Sequence, residues 1–199
     1  EEMGGEVGVD SVVGKGSTFW ADLPLFEAPK PVLDVLVVDD EQENLDAFSL
    51  NFDRKFTVIT VSSGQEALKI ALREPIAVAI ADQRMPGMTG SEFLGKLREE
   101  SPETVRIILT GYTDIDSIVT SINEGAIHSY IAKPWDAENI EMLIRSSVKL
   151  YHRAVDRLRR LKELSAYKQV LGMIAANAPL QGIVREILKL VTYEFGYDR

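Results

Sequence analysis

Five positions carry side chains suited to phosphoryl and metal chemistry, and each follows a short apolar run. Asp39 and Asp40 follow Val35-Leu36-Val37-Val38, and Asp82 follows Val78-Ala79-Ile80-Ala81. Thr110 follows Ile107-Ile108-Leu109, and Lys133 follows Tyr130-Ile131-Ala132. In an open parallel sheet the carboxyl ends of the strands face one crevice, where ligands bind. Residues spread over almost a hundred positions would then meet at one site. Three acids, a hydroxyl and an amine suit a divalent cation beside a phosphoryl group.

The elements needed to bring them together are legible in residues 32–150. Apolar strand patterns at 33–38, 56–61, 77–81, 106–109 and 129–132 alternate with helical patterns near 42–53, 64–73, 90–99 and 114–124, and a fifth helix starts near Asp136. That alternation predicts an α/β fold, a doubly wound parallel sheet of five strands with helices on both faces. The first and third strands are apolar almost throughout, as central strands buried on both faces should be.

Composition narrows the function. The 199-residue chain is 45% hydrophobic and 27% charged, ordinary for a globular protein, and has no apolar run long enough to span a bilayer. It has no cysteine, which excludes disulfides, zinc thiolates and cysteine nucleophiles. A cytoplasmic setting is the expectation. With 22 basic and 31 acidic residues the net charge is −9, which argues against a general nucleic-acid surface.

The flanks differ from the middle. Residues 1–26 contain five glycines and end in an alternating stretch from Thr18 to Leu25, read as two short strands around a glycine-rich turn. Residues 27–31, Glu-Ala-Pro-Lys-Pro, form a stiff linker. From Asp136 to Ala176 there is no proline, and apolar residues recur in steps of four and three from Ile140 to Ile174. This predicts one long helix, continuous with the last helix of the sheet domain, that buries its stripe as a parallel homodimer seam. Between Val155 and Tyr167 every step is three, a fault that should weaken the seam. Asn177-Ala178-Pro179 breaks the helix, and residues 177–199 begin a new amphipathic unit.

Residues 32–150 resemble a response-regulator receiver domain. The motifs are Val37-Val38-Asp39-Asp40-Glu41, Asp82 through Gly90, Leu109-Thr110-Gly111 and Lys133-Pro134-Trp135. The resemblance implies strand order 2-1-3-4-5. It implies that Asp82 takes a phosphoryl group from a phosphohistidine on a histidine kinase or a histidine phosphotransfer protein. Mg²⁺ would be held by Asp39, Asp40, Asp82 and the backbone carbonyl of Arg84. Lys133 and Thr110 would each contact a phosphoryl oxygen, and Tyr130 would turn inward as Thr110 moves. A cis peptide at Lys133-Pro134 is also implied. Gly111 stands where many relatives have alanine, and Arg84 and Tyr112 flank the site.

Residues 1–26 resemble the last strands of a histidine-kinase ATP-binding domain. The parts that bind adenine and metal are missing, so the chain should neither bind ATP nor phosphorylate itself. Residues 177–199 resemble the opening of a GAF-type sensor domain. His152 lacks the acidic residue and the proline that follow a phosphoacceptor histidine in kinases, so it reads as a solvated helix residue, and His128 reads as structural. The leading expectation is a phosphoacceptor receiver inside a multidomain sensory protein. Two others stand beside it: a phosphorylation-independent docking module, and the regulatory part of an effector enzyme whose catalytic domain lies beyond Arg199.

Overall fold

The computed structural model describes residues 6–12, 14, 16–22, 31–111, 126–176, 178–180, 182–184 and 186–187. Two units divide the chain. One comprises Lys30–Lys162, and the other comprises Glu1–Pro29 with Glu163–Arg199. In the second unit, β1 (Glu6–Val12) and β2 (Gly16–Asp22) pair antiparallel, with Val12 opposite Gly16. Gly14 and Gly16 sit at φ +80° and +99°, which only glycine adopts without strain, so the glycines close the turn.

The first unit is built on five parallel strands: β3 (Leu33–Val38), β4 (Val58–Val61), β5 (Ile76–Asp82), β6 (Val105–Thr110) and β7 (Ser129–Ala132). Their spatial order is β4-β3-β5-β6-β7, which is the expected 2-1-3-4-5. Successive side chains of a strand point to opposite faces. Leu36, Val38, Ala79 and Ile108 therefore join α2 (Gly64–Ala71) and α3 (Gly90–Glu100), through Ala67, Phe93, Leu94 and Leu97. Val35, Val37, Val78, Ile80 and Ile107 pack on the other face against Phe48 and Phe52 of α1 (Gln42–Phe52). All seven residues of β5 are buried, as its run of small and β-branched side chains predicts. The helix expected over 114–124 lies outside the described residues, as does Tyr112.

The long helix is present: α4 runs unbroken from Ala137 to Ala175. What covers its stripe differs from expectation. Ile140, Ile144 and Tyr151 are buried in the core on one face of the sheet with Val105, Ile107 and Leu109, and Val148 and Val155 pack against the same cluster. The first half of the stripe is therefore covered by the sheet of its own chain and is not a dimer seam. Each buried isoleucine contributes roughly 1.5–3 kcal/mol. Met142 and Leu150 lie off this stripe and are exposed, but the stripe itself becomes exposed only beyond Val155, from Leu158 at 40% to Leu171 at 65%. The start of α4 is also tied to the α1–β4 connection. Lys55 pairs with Glu141, Arg145 donates to the same carboxylate, and the Arg145 guanidinium lies 5.2 Å from the centre of the Phe56 ring.

Helix α3 is fixed at its start with unusual closeness. Thr89 and Glu92 form a reciprocal capping box, Thr89 Oγ1 accepting from the Glu92 amide and Glu92 Oε2 from the Thr89 amide. One residue on, Gly90 lies against the backbone of Asp82. A Cβ there would sit 2.3 Å from the Asp82 carbonyl oxygen and 2.9 Å from Ile108 Cδ1. No rotamer relieves a clash with a backbone carbonyl. Gly90→Ala should lower stability by about 2–4 kcal/mol, whereas Thr89→Ala should cost about 1 kcal/mol for the lost cap. Urea unfolding of the two variants checks the order: a larger loss for Thr89→Ala would mean that the close approach at Gly90 is not rigid.

Candidate phosphoacceptor site

Parallel strands deliver the acids. Asp39 follows β3, and Asp82 is the last residue of β5, so both lie at carboxyl ends of adjacent strands. Thr110 ends β6, and Lys133 follows β7. The Lys133 amide donates to the Thr110 carbonyl at 2.8 Å, which extends the β6–β7 ladder one step to the site. The Lys133–Pro134 peptide is cis, as the motif implies.

The ammonium of Lys133 joins what the chain separates. It lies 2.5 Å from Asp82 Oδ1 and 3.1 Å from Asp39 Oδ2, across 94 residues of sequence in the second case. Asp39 is 1% exposed and Asp82 8%. Burying carboxylates is costly unless they are paired and hydrogen-bonded, and both are. Burial works against the Lys133 ammonium as well, but its hydrogen bonds to Asp82 and Asp39 and their negative charges outweigh this. Its pKa stands above the ordinary lysine value.

Asp39 has all its acceptor positions taken. Oδ1 accepts from the Glu41 amide at 3.0 Å and from Asn44 Nδ2 at 3.0 Å; Oδ2 accepts from the same Asn44 nitrogen at 3.0 Å and from Lys133. Asn44 also donates to Glu41 Oε2 at 3.0 Å. Sequence reasoning missed Asn44. Its one signal was an amide-bearing residue in the first turn of a helix, three places after Glu41, and that pattern is ordinary. Asp82 Oδ2 accepts from the Arg84 amide at 2.8 Å, a tight turn that fixes the carboxylate. Gln83 was missed too: its side chain accepts from both the hydroxyl and the amide of Ser91, at 2.7 and 3.2 Å, and so ties the Asp82 turn to α3.

The remaining expected residues are nearby but less engaged. Asp40 is exposed and lines an open cavity of about 390 Å³ with Gln83, Arg84, Met85, Pro86 and Thr89. Thr110 is buried, and its hydroxyl donates to the Gly111 carbonyl at 3.0 Å rather than to an acid of the site. Tyr130 is 42% exposed. His128 accepts from the Arg106 amide through Nδ1 at 3.0 Å, away from the acids. Burial and then the Arg106 charge push its pKa down, consistent with a neutral structural ring. His152 is exposed on α4.

Among the described residues no three acids or imidazoles stand close enough to clasp a metal between side chains alone. Lys133 occupies the space between Asp39 and Asp82. The donors nevertheless suit Mg²⁺, which takes few carboxylates, keeps waters and accepts backbone carbonyls. Asp39, Asp40, Asp82 and the Arg84 carbonyl are hard oxygen donors, and Asp40 and Arg84 line the cavity. Three carboxylates against one ammonium leave two negative charges, which one divalent cation would balance.

Residues 35–145 match the family model for the response regulator receiver domain. Over 114 residues the chain is 48% identical to the hydrogenase transcriptional regulatory protein HoxA of Cupriavidus necator, a match covering 57% of this chain and 24% of that protein. It is 36% identical over 116 residues to the transcriptional regulatory protein KdpE of Mycobacterium tuberculosis, covering 58% of this chain and 50% of that one. The chain thus spans about a quarter to a half of the length of these relatives. Among solved structures, adenylate cyclase from Rhodopirellula baltica superposes with a TM-score of 0.63 at 33% identity, covering 67% of this chain and 98% of that one. A receiver domain protein from Clostridium thermocellum superposes at 0.55 with 30% identity, covering 58% and 93%. With the sheet order, the strand-end acids and the bridging lysine already in place, these matches show that the chain belongs to the response regulator receiver domain family.

Proposed function

We propose that Asp82 accepts a phosphoryl group from a phosphohistidine on a histidine kinase or a histidine phosphotransfer protein, and that the long helix carries the resulting signal in a homodimer. The observation that supports this most is the Lys133 ammonium held between Asp39 and Asp82 at the strand ends. A docking platform has no need of a buried acid pair bridged by a cation at the mouth of an open cavity. An effector activity would have to come from other domains, because the chemistry of this site is complete as a phosphoacceptor.

In the transfer, an oxygen of Asp82 forms a bond to phosphorus while the donor's P–N bond breaks, and the imidazole keeps the electron pair. The Arg84 amide holds the other carboxylate oxygen during the attack. Lys133 then turns from the carboxylate to a phosphoryl oxygen, and Thr110 exchanges its Gly111 carbonyl for another. Mg²⁺ held by Asp39, Asp40, Asp82 and the Arg84 carbonyl would neutralise the acids and the incoming oxygens. Asp39 would have an acceptor position for the metal once Lys133 turns away. As Thr110 moves, Tyr130 on the neighbouring strand swings inward from its exposed position, and β7 leads directly into α4. Among the described residues no helix is long and apolar enough to cross a membrane. The β1–β2 hairpin is compatible with a kinase-domain remnant at 1–26, and we place the receiver between it and a sensor segment beginning at 177.

Two outcomes test the chemistry. Incubation with acetyl phosphate and Mg²⁺ should add one phosphoryl mass to the chain and none to Asp82→Asn; an undiminished mass shift in that variant would remove the acceptor from Asp82. Trp135 lies next to the cis proline, within 6.3 Å of both Phe48 and Phe52, and can report on the site by fluorescence. Asp40→Ala should weaken Mg²⁺ binding at least about tenfold, since a ligand and a charge are lost together. Equal titrations for wild type and variant would exclude Asp40 as a ligand.

A further inference from the structure

Helix α4 carries a second apolar face, distinct from the one its own sheet covers. Leu164, Tyr167, Leu171 and Ile174 follow one another in steps of three, four and three, and are 63%, 53%, 65% and 51% exposed. This is the alternation that a two-stranded coiled coil requires of its core positions. The face arises from the run of threes that looked like a fault. Each step of three falls about 60° short of a full turn. From Val155, packed on the sheet, through Leu158 and Leu161 to Leu164, the stripe is carried around to the outer side of the helix. Leu158 and Leu161 are the transit between two faces, not the seam.

Counting upstream from Leu164 by the same steps reaches Arg160, Arg157 and Arg153, all exposed. In a parallel pair these would stack arginine on arginine. We infer that the chain binds a second copy of itself in parallel through Leu164, Tyr167, Leu171 and Ile174, and that Arg160, Arg157 and Arg153 end this seam before it reaches the receiver. The inference deepens the homodimer proposed above and rests on it. Charge complementarity supports the orientation. With Leu164 and Leu171 at equivalent core positions, Glu163 of one copy falls opposite Lys168 of the partner subunit, the flanking pairing that favours parallel in-register helices. An antiparallel pair would lose this match and lay the arginines against the other copy's apolar end.

The absence of cysteine makes the register readable. Single-cysteine variants Leu164→Cys, Leu171→Cys and Leu158→Cys of the full chain are oxidised under mild conditions and resolved by mass. Leu164→Cys and Leu171→Cys should each form a disulfide-linked dimer with itself, and Leu158→Cys should not. A faster dimer for Leu158→Cys would overturn the register. A disulfide formed only when Leu164→Cys and Leu171→Cys are mixed would establish the antiparallel pair and overturn the orientation. No disulfide in any variant would overturn the dimer, while phosphoryl labelling of Asp82 in the same samples shows separately whether the receiver stands. Arg157→Leu with Arg160→Leu should lower the dimer dissociation constant at least about tenfold by sedimentation; an unchanged or raised constant would show that the arginines do not limit the seam.

Discussion

The site depends on one cation placed between two buried carboxylates. Without Lys133, the buried Asp39 and Asp82 would stand side by side with no cation between them, which is costly. With it, both are paired and held in place. The arrangement requires the strands to end level with one another, and the registers of β3, β5, β6 and β7 bring that about. It also requires the turn after β7 to direct the lysine inward. The hydrogen bonds from Asn44, Glu41 and Arg84 then leave each carboxylate little freedom. Under the proposed phosphotransfer, a preorganised acid pair whose cation changes partner would couple chemistry to a change of shape.

Much of this was legible in the sequence because burial on both faces leaves a plain mark. Five apolar runs, four of them closed by a polar residue of definite chemistry, predicted the strands to within a residue or two; β4 is shorter than its pattern, with Phe56 bonded back to Phe52 in the preceding turn. The positions of Asp39, Asp82, Thr110 and Lys133 followed from the strand ends. Asn44 and Gln83 did not, since an amide in a first helical turn or after a strand is common, and only coordinates show which acceptor it meets. Gly90 could be quoted as part of a motif, but its reason is a backbone contact that no pattern expresses.

The long helix shows a different limit. Apolar periodicity states that a face is covered, not by what. Ile140, Ile144 and Tyr151 have the same spacing whether they meet a sheet or a partner helix, and here they meet the sheet. The change of phase beyond Val155 was visible as irregular spacing, yet its meaning depended on knowing where the first face was already satisfied.

Burial of Tyr151 and packing of Val155 against the sheet domain also set where the folding unit ends. The family match stops at residue 145, about three helical turns earlier. Those turns belong to the receiver by packing although they lie beyond the residues the family match covers. In evolution or engineering, a joint placed at the apparent domain border would strip a wall from the core, whereas one placed after Val155 would leave it whole. Beyond that point the helix acts as a gear: inserting or removing single residues would rotate whatever follows by about 100° each, so exchange of downstream modules should favour lengths that return the outer face to the same side.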